Sequence, residues 1–392
     1  MILRFLDAGE SHGKCLLGII EGFPSGFLLS EEKTNRELKR RQGGYGRGNR
    51  MKIEQDRIAI LSGLISGKTI GSPIGLTIKN KDWDNQNPDN QKVLTVPRPG
   101  HADLAGTFKY GLNEYRPILE RASARKTAMR VAIGSIGQQL LEHFSIASYS
   151  HVVRIGNIKI LQGTIEKIKN KENFAKIREI IDCSPVYCLD QEISQQMCRE
   201  IDQTKEEGDS LGGQFEIVVR NVPPGLGSHV FWDRKIDSRI AGALMSIPSV
   251  KAVEIGEGIK NSEKRGSQVQ DAIYLREEED IQLNQTHYYR RKNRAGGIEG
   301  GITNGEEIVV QVYLKPIPTL LKPLASVDLK TKKETLADYQ RSDTCVVPAA
   351  SVVGEAVINW EIATAFIEKF AGDSLKEIET NYKGYLERIK TS

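Results

Sequence analysis

Two stretches of the chain repeat one pattern of polar and apolar positions. Residues 9–26 read GESHGKCLLGIIEGFPSG, residues 208–225 read GDSLGGQFEIVVRNVPPG, and the two align without a gap. Each contains a glycine-bracketed turn with an acidic residue and a serine, then an apolar stretch typical of a strand, then a Pro-x-Gly turn. The repetition predicts an internal duplication. The plainest difference between the copies is His12 against Leu211, so His12 is the first candidate for a chemical role.

A weaker similarity continues beyond these stretches. Gly63–Ser66 followed by Ile74–Lys79 is similar to Gly300–Thr303 followed by Val310–Lys315, and Asn304-Gly305 is a strong turn signal. Both segments therefore predict hairpins. Apolar residues at three- and four-residue spacing then predict a buried helix that closes the first half, and LEHF at 141–144 parallels IEKF at 367–370 in the second. The helical stripe consists of Met129, Ala132, Ile133, Ile136, Leu140 and Phe144.

These similarities predict two related halves, residues 1–150 and 205–372, within one catalytic domain that spans residues 1–392. Between the halves, residues 151–204 match neither copy, and Gln162–Gln203 is rich in Lys, Glu and Ile at helical spacing. We therefore expect an insertion with helices of its own. The alternative is chance similarity between two glycine-rich hairpins, which eighteen ungapped positions with both turns in register disfavour.

Composition limits the classes of function. The chain has 392 residues, 39% of them hydrophobic, and a net charge of +4, so no strong overall field favours nucleic acid. No run of apolar residues approaches the roughly 18 that a membrane span needs. Arg4, Asp7 and Glu10 interrupt the start of the chain, which argues against a secretory signal and favours the cytoplasm. Five cysteines without a Cys-x-x-Cys pair favour neither a disulfide framework nor a zinc site, so no metal is expected.

Positive charge is concentrated in residues 36–52, which hold seven Lys or Arg against one Glu. The segment is predicted to begin as a helix capped by Ser30 and to end in a glycine loop, 43–46. Arg47 and Arg50 on such a loop can bind carboxylate or phosphate with two hydrogen bonds. On the clustering of charge alone, a solvated basic face is about as well supported as an anion-binding loop. RNA binding by an Arg-Gly segment is a third interpretation, although such segments usually repeat.

Further cations occur in turns and at element ends. They lie in RPGHAD (98–103), in RASAR (121–125) before the long helix, in RSD (341–343) before the corresponding helix, and in KPIPT (315–319). Helix starts attract anions through their backbone N–H groups and dipole. Together these segments predict a site for highly anionic small molecules, assembled from loops.

Seven ordered motifs closely resemble the chorismate synthase family. They are GESHG with LLGIIEGFP, QGGYGRG, RPGHADL, ERASARKT, EGGITNGE, KPIPTL and RSD, and the resemblance extends from Gly9 to about Phe370. It implies an α+β fold, a layered sandwich of helices between antiparallel sheets that is not a Rossmann fold. It also implies a lyase that forms chorismate and phosphate from 5-enolpyruvylshikimate 3-phosphate in aromatic amino acid biosynthesis. Reduced FMN is the implied cofactor and a homotetramer the implied assembly.

The resemblance further implies roles for individual residues. His12 corresponds to the family histidine beside the leaving phosphate, a general acid or hydrogen-bond donor. His101 corresponds to the histidine beside the flavin ring, and Asp343 to the carboxylate that receives the substrate proton by way of the flavin. The implied substrate-binding arginines are Arg41, Arg47, Arg50, Arg125 and Arg341. The implied FMN contacts are Arg121, Ala122, Ser123, Ser249, Gly300, Lys315, Pro316, Ile317, Pro318, Thr319 and Arg341. Where many members have Asn-Ala, this chain has Pro248-Ser249, which removes one backbone N–H donor.

Three classes of function follow from the sequence. The first is the flavin-dependent lyase, the second an RNA-binding protein, and the third a flavin reductase that oxidises a nicotinamide such as NADPH. For the lyase, reduced FMN comes either from the enzyme itself with NAD(P)H or from an external flavin reductase, and the external supply is favoured. No membrane and no nucleic-acid partner are expected.

Overall fold

The structure is a computed structural model that describes residues 2–48, 55–81, 83, 93–277, 286–337 and 343–391. Its strands are short, and most lie close in sequence to the strand they pair with. They are β1 (Arg4–Ala8), β2 (Cys15–Glu21), β3 (Ile58–Ile60), β4 (Leu64–Ile65), β5 (Lys68–Thr69), β6 (Ile74–Lys79), β7 (Ala147–Ile155), β8 (Ile158–Lys159), β9 (Gly213–Arg220), β10 (Val250–Ile255), β11 (Ile273–Leu275), β12 (Tyr288–Arg290), β13 (Ile298–Glu299), β14 (Ile302–Thr303), β15 (Ile308–Leu314), β16 (Ala325–Val327) and β17 (Glu334–Leu336).

The helices range from single turns to a core helix of 24 residues. They are α1 (Glu31–Gln42), α2 (Asp103–Tyr110), α3 (Arg116–Ala122), α4 (Thr127–His143), α5 (Gln162–Lys171), α6 (Phe174–Cys183), α7 (Gln191–Glu206), α8 (Ile236–Met245), α9 (Gly258–Asn261), α10 (Gly266–Val269), α11 (Val347–Phe370) and α12 (Leu375–Lys390). Two 3-10 turns, Ala124–Lys126 and Trp232–Arg234, precede α4 and α8.

Two antiparallel sheets enclose a layer of helices. The first sheet has the order β1-β2-β6-β3 and the second β10-β15-β9-β7-β8, with every neighbouring pair antiparallel. Helix α4 contacts the first sheet, α11 contacts the second, and the two helices pack on each other. Both sheets therefore bury one face against the same helical core. The predicted layered α+β sandwich is confirmed.

The two central helices run side by side in the same direction. Gly134 of α4 lies against Ala356 of α11, and ten residues further along in each case, Phe144 packs on Phe366. A Cβ on Gly134 would lie 2.1 Å from the Ala356 carbonyl oxygen, so only glycine permits this approach. The predicted stripe of α4 is confirmed, since all six of its residues are buried. Because the helices are parallel, their N-termini meet at one end of the molecule.

Helix α11 is long and apolar enough to cross a membrane by length and composition alone. However, 94% of the apolar window in it is buried inside the protein. Its apolar sides are therefore covered by the second sheet and by helices α1, α4 and α8, as in the core helix of a globular fold.

Matched hydrogen bonds occur in the two halves. The Thr69 hydroxyl donates to the Pro24 carbonyl at 2.6 Å, and the Thr303 hydroxyl donates to the Pro223 carbonyl at 2.7 Å. The Phe27 and Leu226 N–H groups donate to the same two hydroxyls. In each half the Pro-x-Gly turn is thus held by one threonine of a short hairpin. These contacts, together with the matching strand orders β1-β2-β6-β3 and β7-β9-β15-β10, support our proposal of an internal duplication.

Two details differ from the sequence interpretation. Strand β7 begins at Ala147 yet belongs to the second sheet, so the second structural half begins before residue 150. The threonine contacts show that β5 in the first half corresponds to β14 in the second. The sequence alignment of residues 63–66 with 300–303 had instead matched β4 to β14. That alignment is wrong by one strand of the hairpin. Similarly, the tight turn within the second hairpin is Gly300-Gly301, and Asn304-Gly305 instead leads from β14 to β15 of another sheet.

The segment between the halves contains helices α5, α6 and α7, which supports our proposal of a helical insertion. It is connected to the core by buried ion pairs. Arg178 of α6 contacts Glu37 of α1 at 2.8 Å and Glu355 of α11 at 2.7 Å, and Arg40 contacts both of these glutamates. Burial disfavours the charged form of Glu37, but the two arginines outweigh that effect and lower its pKa. Each charge in this network thus has an opposite partner, as buried charges require.

Candidate active site

The loop between β1 and β2 carries His12. Its imidazole Nδ1 lies 2.8 Å from Glu120 Oε1, and its backbone N–H donates to Glu120 Oε2, also at 2.8 Å. Arg121 donates to the Gly9 carbonyl and pairs with Asp7, while the Ser123 and Ser11 hydroxyls are 3.1 Å apart. The end of α3 and the residues after it therefore hold the loop from one side. Because the loop connects two adjacent strands in six residues, its backbone has little freedom.

Two of the predicted arginines share a buried carboxylate. Arg125 donates to Asp56 Oδ1 at 2.6 Å, and Arg41 donates to Asp56 Oδ2 at 3.4 Å. Arg41 also donates to the Thr127 hydroxyl and to the Ala124 carbonyl. Both guanidinium groups are thus held beside the start of α4, and Asp56, whose side chain has no exposed surface, fixes their separation.

Arg47 and Asp343 add a contribution from the second half. Their side chains form an ion pair of 2.9 Å, and the Gly48 N–H donates to the other Asp343 oxygen at 2.6 Å. Burial lowers the pKa of Arg41 to about 10. Repulsion from Arg47 and Arg125 also lowers this pKa, whereas attraction to Asp56 and Asp343 raises it. These five groups therefore form one cluster in which positive charge is crowded. An anion placed there would relieve the repulsion.

Asn80 connects the His12 loop to this cluster. Its side-chain amide donates to the Glu10 and Gly13 carbonyls, and its Oδ1 accepts from Arg125 Nε at 2.7 Å. Asn80 directly follows β6. One side chain thus aligns the loop, the arginine and the end of a sheet strand.

A second group of contacts surrounds His101. Its Nδ1 makes a short contact with Asp103, and Arg98 binds both the His101 ring and the Asp103 carboxylate. Burial would raise the pKa of Asp103, but hydrogen bonds from His101 and Arg98 outweigh it and lower the value to about 2. Asp103 is consequently a fixed negative charge that orients both basic side chains.

The His101 loop contacts the predicted flavin-binding loop of the second half. Arg98 donates to the Thr319 hydroxyl at 3.2 Å, and the Lys315 ammonium donates to the Gly100 carbonyl at 2.6 Å. Gly100 has a φ of +76°, which glycine adopts without strain. A small cleft lies between the two loops, lined by Arg98, Pro99, Pro318, Thr319, Leu320, Pro323, Leu324 and Ala337.

The remaining predicted residues lie in several places. Ala122 ends α3, and Pro316 and Ile317 belong to the loop after β15, where the Ile317 carbonyl accepts from Ser210. The Ser249 carbonyl accepts from the Lys315 N–H at 3.0 Å, which places Ser249 beside that loop. Gly300 lies in the turn from β13 to β14, and its neighbour Gly301 packs against the start of α8. Arg50 and Arg341 lie outside the described residues. The roles of all of these residues stay predictions.

Basic residues that are neighbours in sequence have different environments. Arg40 belongs to the buried network with Glu37 and Glu355, whereas Arg41 faces Asp56. The stretch at 36–52 is therefore not one solvated basic face. His143, interpreted from sequence as a surface or packing residue, lies at the end of α4 and contacts Glu379 at 2.7 Å.

Sequence reasoning missed four polar partners. Each of the four makes a hydrogen bond to a predicted site residue, and none was itself predicted. They are Asp56, Asn80, Asp103 and Glu120. Two of them lie within family motifs: Asp103 belongs to RPGHADL, and Glu120 is the first residue of ERASARKT. An acidic residue inside an otherwise basic motif is a signal that could have identified both.

Comparisons with known proteins identify the family of this chain. A model of the family described as chorismate synthase matches residues 3–367. The chorismate synthase of Alkaliphilus metalliredigens (strain QYMF) is 52% identical over 394 residues, which cover 98% of this chain and 99% of that protein. That of Syntrophomonas wolfei is 50% identical over 401 residues, with 99% and 98% covered. A crystal structure of a chorismate synthase has a TM-score of 0.80 and 42% identity over 100% of this chain and 99% of its own. The chain therefore belongs to the chorismate synthase family, a family of carbon–oxygen lyases of aromatic biosynthesis.

Proposed function

We propose that this protein eliminates phosphate from 5-enolpyruvylshikimate 3-phosphate to form chorismate, with reduced FMN and no net redox change. The observation that carries this proposal is the crowding of Arg41, Arg47 and Arg125 in one partly buried cluster. The substrate bears two carboxylates and a phosphate, and the phosphate alone carries roughly −1.5 to −2 at neutral pH. Such an anion would neutralise the excess positive charge of the cluster.

The geometry supports tight orientation of the substrate. Arg41 and Arg125 are held by Asp56 beside the start of α4, while Asp343 lies shortly before α11. Since α4 and α11 are parallel, both helix N-termini lie at this end of the molecule, and their dipoles favour bound anions. Guanidinium groups held in this way bind carboxylate or phosphate through two parallel hydrogen bonds.

The residues around His101 fit a flavin phosphate and ring. Among the described residues, Lys315 donates to a carbonyl rather than to a carboxylate, so its charge is not neutralised by that contact. The Thr319 hydroxyl and the Arg98 guanidinium lie beside it. These adjoining loops therefore supply a cation and a hydroxyl suited to a phosphate. They also supply an imidazole suited to an electron-rich ring. The chemistry that reduced FMN supplies when bound is reversible electron donation to the substrate.

Side chains of this protein can donate and accept the protons that the reaction requires. One C–O bond and one C–H bond of the substrate break, so one phosphate and one proton leave. His12 in its protonated form is suited to donate a hydrogen bond or a proton to the departing phosphate, because Glu120 accepts from Nδ1 and the second N–H of the imidazolium, on Nε2, is directed away from Glu120. Asp343 is the carboxylate that takes up the proton lost from carbon.

An anaerobic assay tests the proposal. The purified protein is mixed with 5-enolpyruvylshikimate 3-phosphate and reduced FMN, and chorismate and phosphate are measured together. Equal amounts of both products, without net nicotinamide consumption, are expected. In the Asp343→Asn variant a deuterated substrate should show an enlarged isotope effect, because proton removal becomes slower. Nicotinamide oxidation without chorismate would favour a flavin reductase, and salt-sensitive RNA binding without turnover would favour the RNA-binding alternative.

The assembly, location and flavin supply are also proposals. A homotetramer is supported by the outer face of the first sheet, where Leu6, Leu17 and Ile19 are 74%, 45% and 50% exposed, because contiguous apolar patches mark interaction surfaces. The cytoplasm is supported by five free cysteines, which suit a reducing compartment. We propose an external flavin reductase as the source of reduced FMN. Turnover with NADPH and oxidised FMN alone would contradict it.

A further inference from the structure

Glu120 holds two different parts of His12 at once. Oε1 lies 2.8 Å from the ring Nδ1, Oε2 accepts the backbone N–H at 2.8 Å, and the Glu120 carbonyl accepts the Ser11 N–H at 3.0 Å. Both side chains are mostly buried, with 27% of His12 and 15% of Glu120 exposed. One carboxylate therefore restrains the position of the loop and the rotation of the imidazole together.

This contact also decides which ring nitrogen is directed away from Glu120. Burial would raise the pKa of Glu120, but hydrogen bonds from the ring and from the backbone of His12 outweigh it and lower that pKa. An ionised carboxylate accepts hydrogen bonds and cannot donate one, so Nδ1 must carry a proton. The nitrogen directed away from Glu120 is then Nε2.

The second copy of the loop shows that the backbone alone does not require a carboxylate. Leu211 occupies the position of His12, and its N–H donates to the Thr344 carbonyl at 2.9 Å. A main-chain oxygen is therefore sufficient to hold the backbone at this position. In the first copy that oxygen is replaced by a side chain that also reaches an imidazole, which indicates a role directed at the ring.

We propose that Glu120 is the positioning residue of His12: it keeps a proton on Nδ1 and fixes the ring orientation, so that Nε2 takes up the second proton and gives it to the leaving phosphate. This inference rests on the proposed function for the role of His12, although the tautomer itself does not. The helix that carries Glu120 is rigidly placed, since Arg121 binds the Gly9 carbonyl in the loop and Asp7 in β1. Arg116 is a further charged neighbour of Glu120.

Three variants test the proposal. Glu120→Gln keeps the size of the side chain and one acceptor but loses the charge and gains an NH₂ donor, so it cannot hold both N–H groups. Glu120→Asp retains the carboxylate. The matched control is Glu379→Gln, because Glu379 makes the same kind of contact with His143 at 2.7 Å. His143 lies at the far end of α4, about 25 Å along the helix from its start.

We expect Glu120→Gln to lower kcat about 10- to 100-fold, as loss of a residue that orients a functional histidine typically does. KM should change little, Glu120→Asp should recover part of the rate, and Glu379→Gln should match the wild type. Nitrogen-15 NMR of labelled histidine, with His12 assigned by substitution, should show protonated Nδ1 in the neutral ring of the wild type and of Glu120→Asp. In Glu120→Gln it should show Nε2–H.

The results separate this inference from the proposed function. A wild-type protein that forms no chorismate overturns the proposed function, and the NMR result still decides the tautomer. Wild-type turnover in Glu120→Gln, or an equal loss in Glu379→Gln, overturns the positioning role. If Glu120→Gln does not fold, the wild-type spectrum decides: a proton on Nε2 rather than Nδ1 overturns the proposal.

Discussion

The two halves of the molecule contain loops that are similar in sequence but differ in chemical content. In the first half the β1–β2 loop carries His12, held by Glu120, and Asn80 follows the neighbouring strand β6. In the second half the corresponding loop carries Leu211, and Lys315 follows the neighbouring strand β15. The His12 N–H donates to the Glu120 side chain, whereas the Leu211 N–H donates to the Thr344 carbonyl.

The difference shows how two similar units can divide the work of one site. The first half presents the arginine cluster and His12, which suit an anionic substrate. The second half presents Lys315 and Thr319, which suit a cofactor phosphate. Each half also sends a segment to the other, since Arg98 reaches Thr319 and Asp343 reaches Arg47. The four predictions below test this division, from the largest expected effect to the smallest.

Substitution His12→Leu makes the first loop chemically similar to the second. We expect kcat to fall about 10²- to 10⁴-fold, as loss of a general acid or base typically does, with folding unchanged. Leu211→Met, a swap of similar volume in the other loop, should leave turnover near the wild-type value. Both are measured anaerobically with saturating reduced FMN. A His12→Leu enzyme with nearly normal turnover would show that the two loops do not differ in function.

Asp56→Asn tests the substrate side of the site. Its carboxylate lies between the buried guanidinium groups of Arg41 and Arg125, and removing it leaves two buried cations without their shared partner. We expect the free energy of unfolding to fall by roughly 3–5 kcal/mol, measured by urea denaturation. Glu21→Gln, in an exposed pair with Arg4, should cost only about 0–1 kcal/mol. Equal losses in the two variants would contradict the importance of the cluster.

Lys315→Ala tests the cofactor side. Loss of a charged hydrogen bond to the FMN phosphate should weaken flavin binding by roughly 1.5–3 kcal/mol, with little change in folding. Flavin titration by fluorescence or absorbance measures the effect. Lys322→Ala, an exposed lysine of the same segment, is the matched control. Unaltered flavin affinity in Lys315→Ala would remove this assignment and, with it, the division of roles.

The pH dependence of stability in the Asp103→Asn variant tests the contacts around His101, where the two halves meet. The pKa of Asp103 is lowered from 3.8 to about 2 because hydrogen bonds from His101 and Arg98 outweigh burial. Its contribution to stability is therefore complete above about pH 4 and is lost as the pH falls toward 2, by roughly 2 kcal/mol. The stability difference between wild type and Asp103→Asn should shrink over this window in urea denaturation series. A difference independent of pH would contradict the assigned contacts.

Local patterns predicted those features that depend on neighbours in sequence. The apolar spacing of Met129 to Phe144 predicted the core helix, and Ser30 was predicted as the cap that it proves to be, since its hydroxyl accepts the Lys33 N–H. The repeated turns and strands indicated two similar units. Helical periodicity and turn chemistry act over a few residues, so one sequence contains enough information for them.

Partners brought together from distant segments were not predictable in this way. Glu120 is 108 positions from His12, and Asp343 is about 295 positions from the Arg47–Gly48 loop it contacts. Arg40 and Arg41 are adjacent, but successive residues of a helix point about 100° apart, and only the packing of α1 decides which one faces Glu355 and which faces Asp56. The sequence by itself determined the repeated unit, the core helices and the motifs with candidate chemistry. The tertiary structure decided which carboxylate holds each histidine and arginine, because those distances depend on the packing of two parallel helices between two sheets.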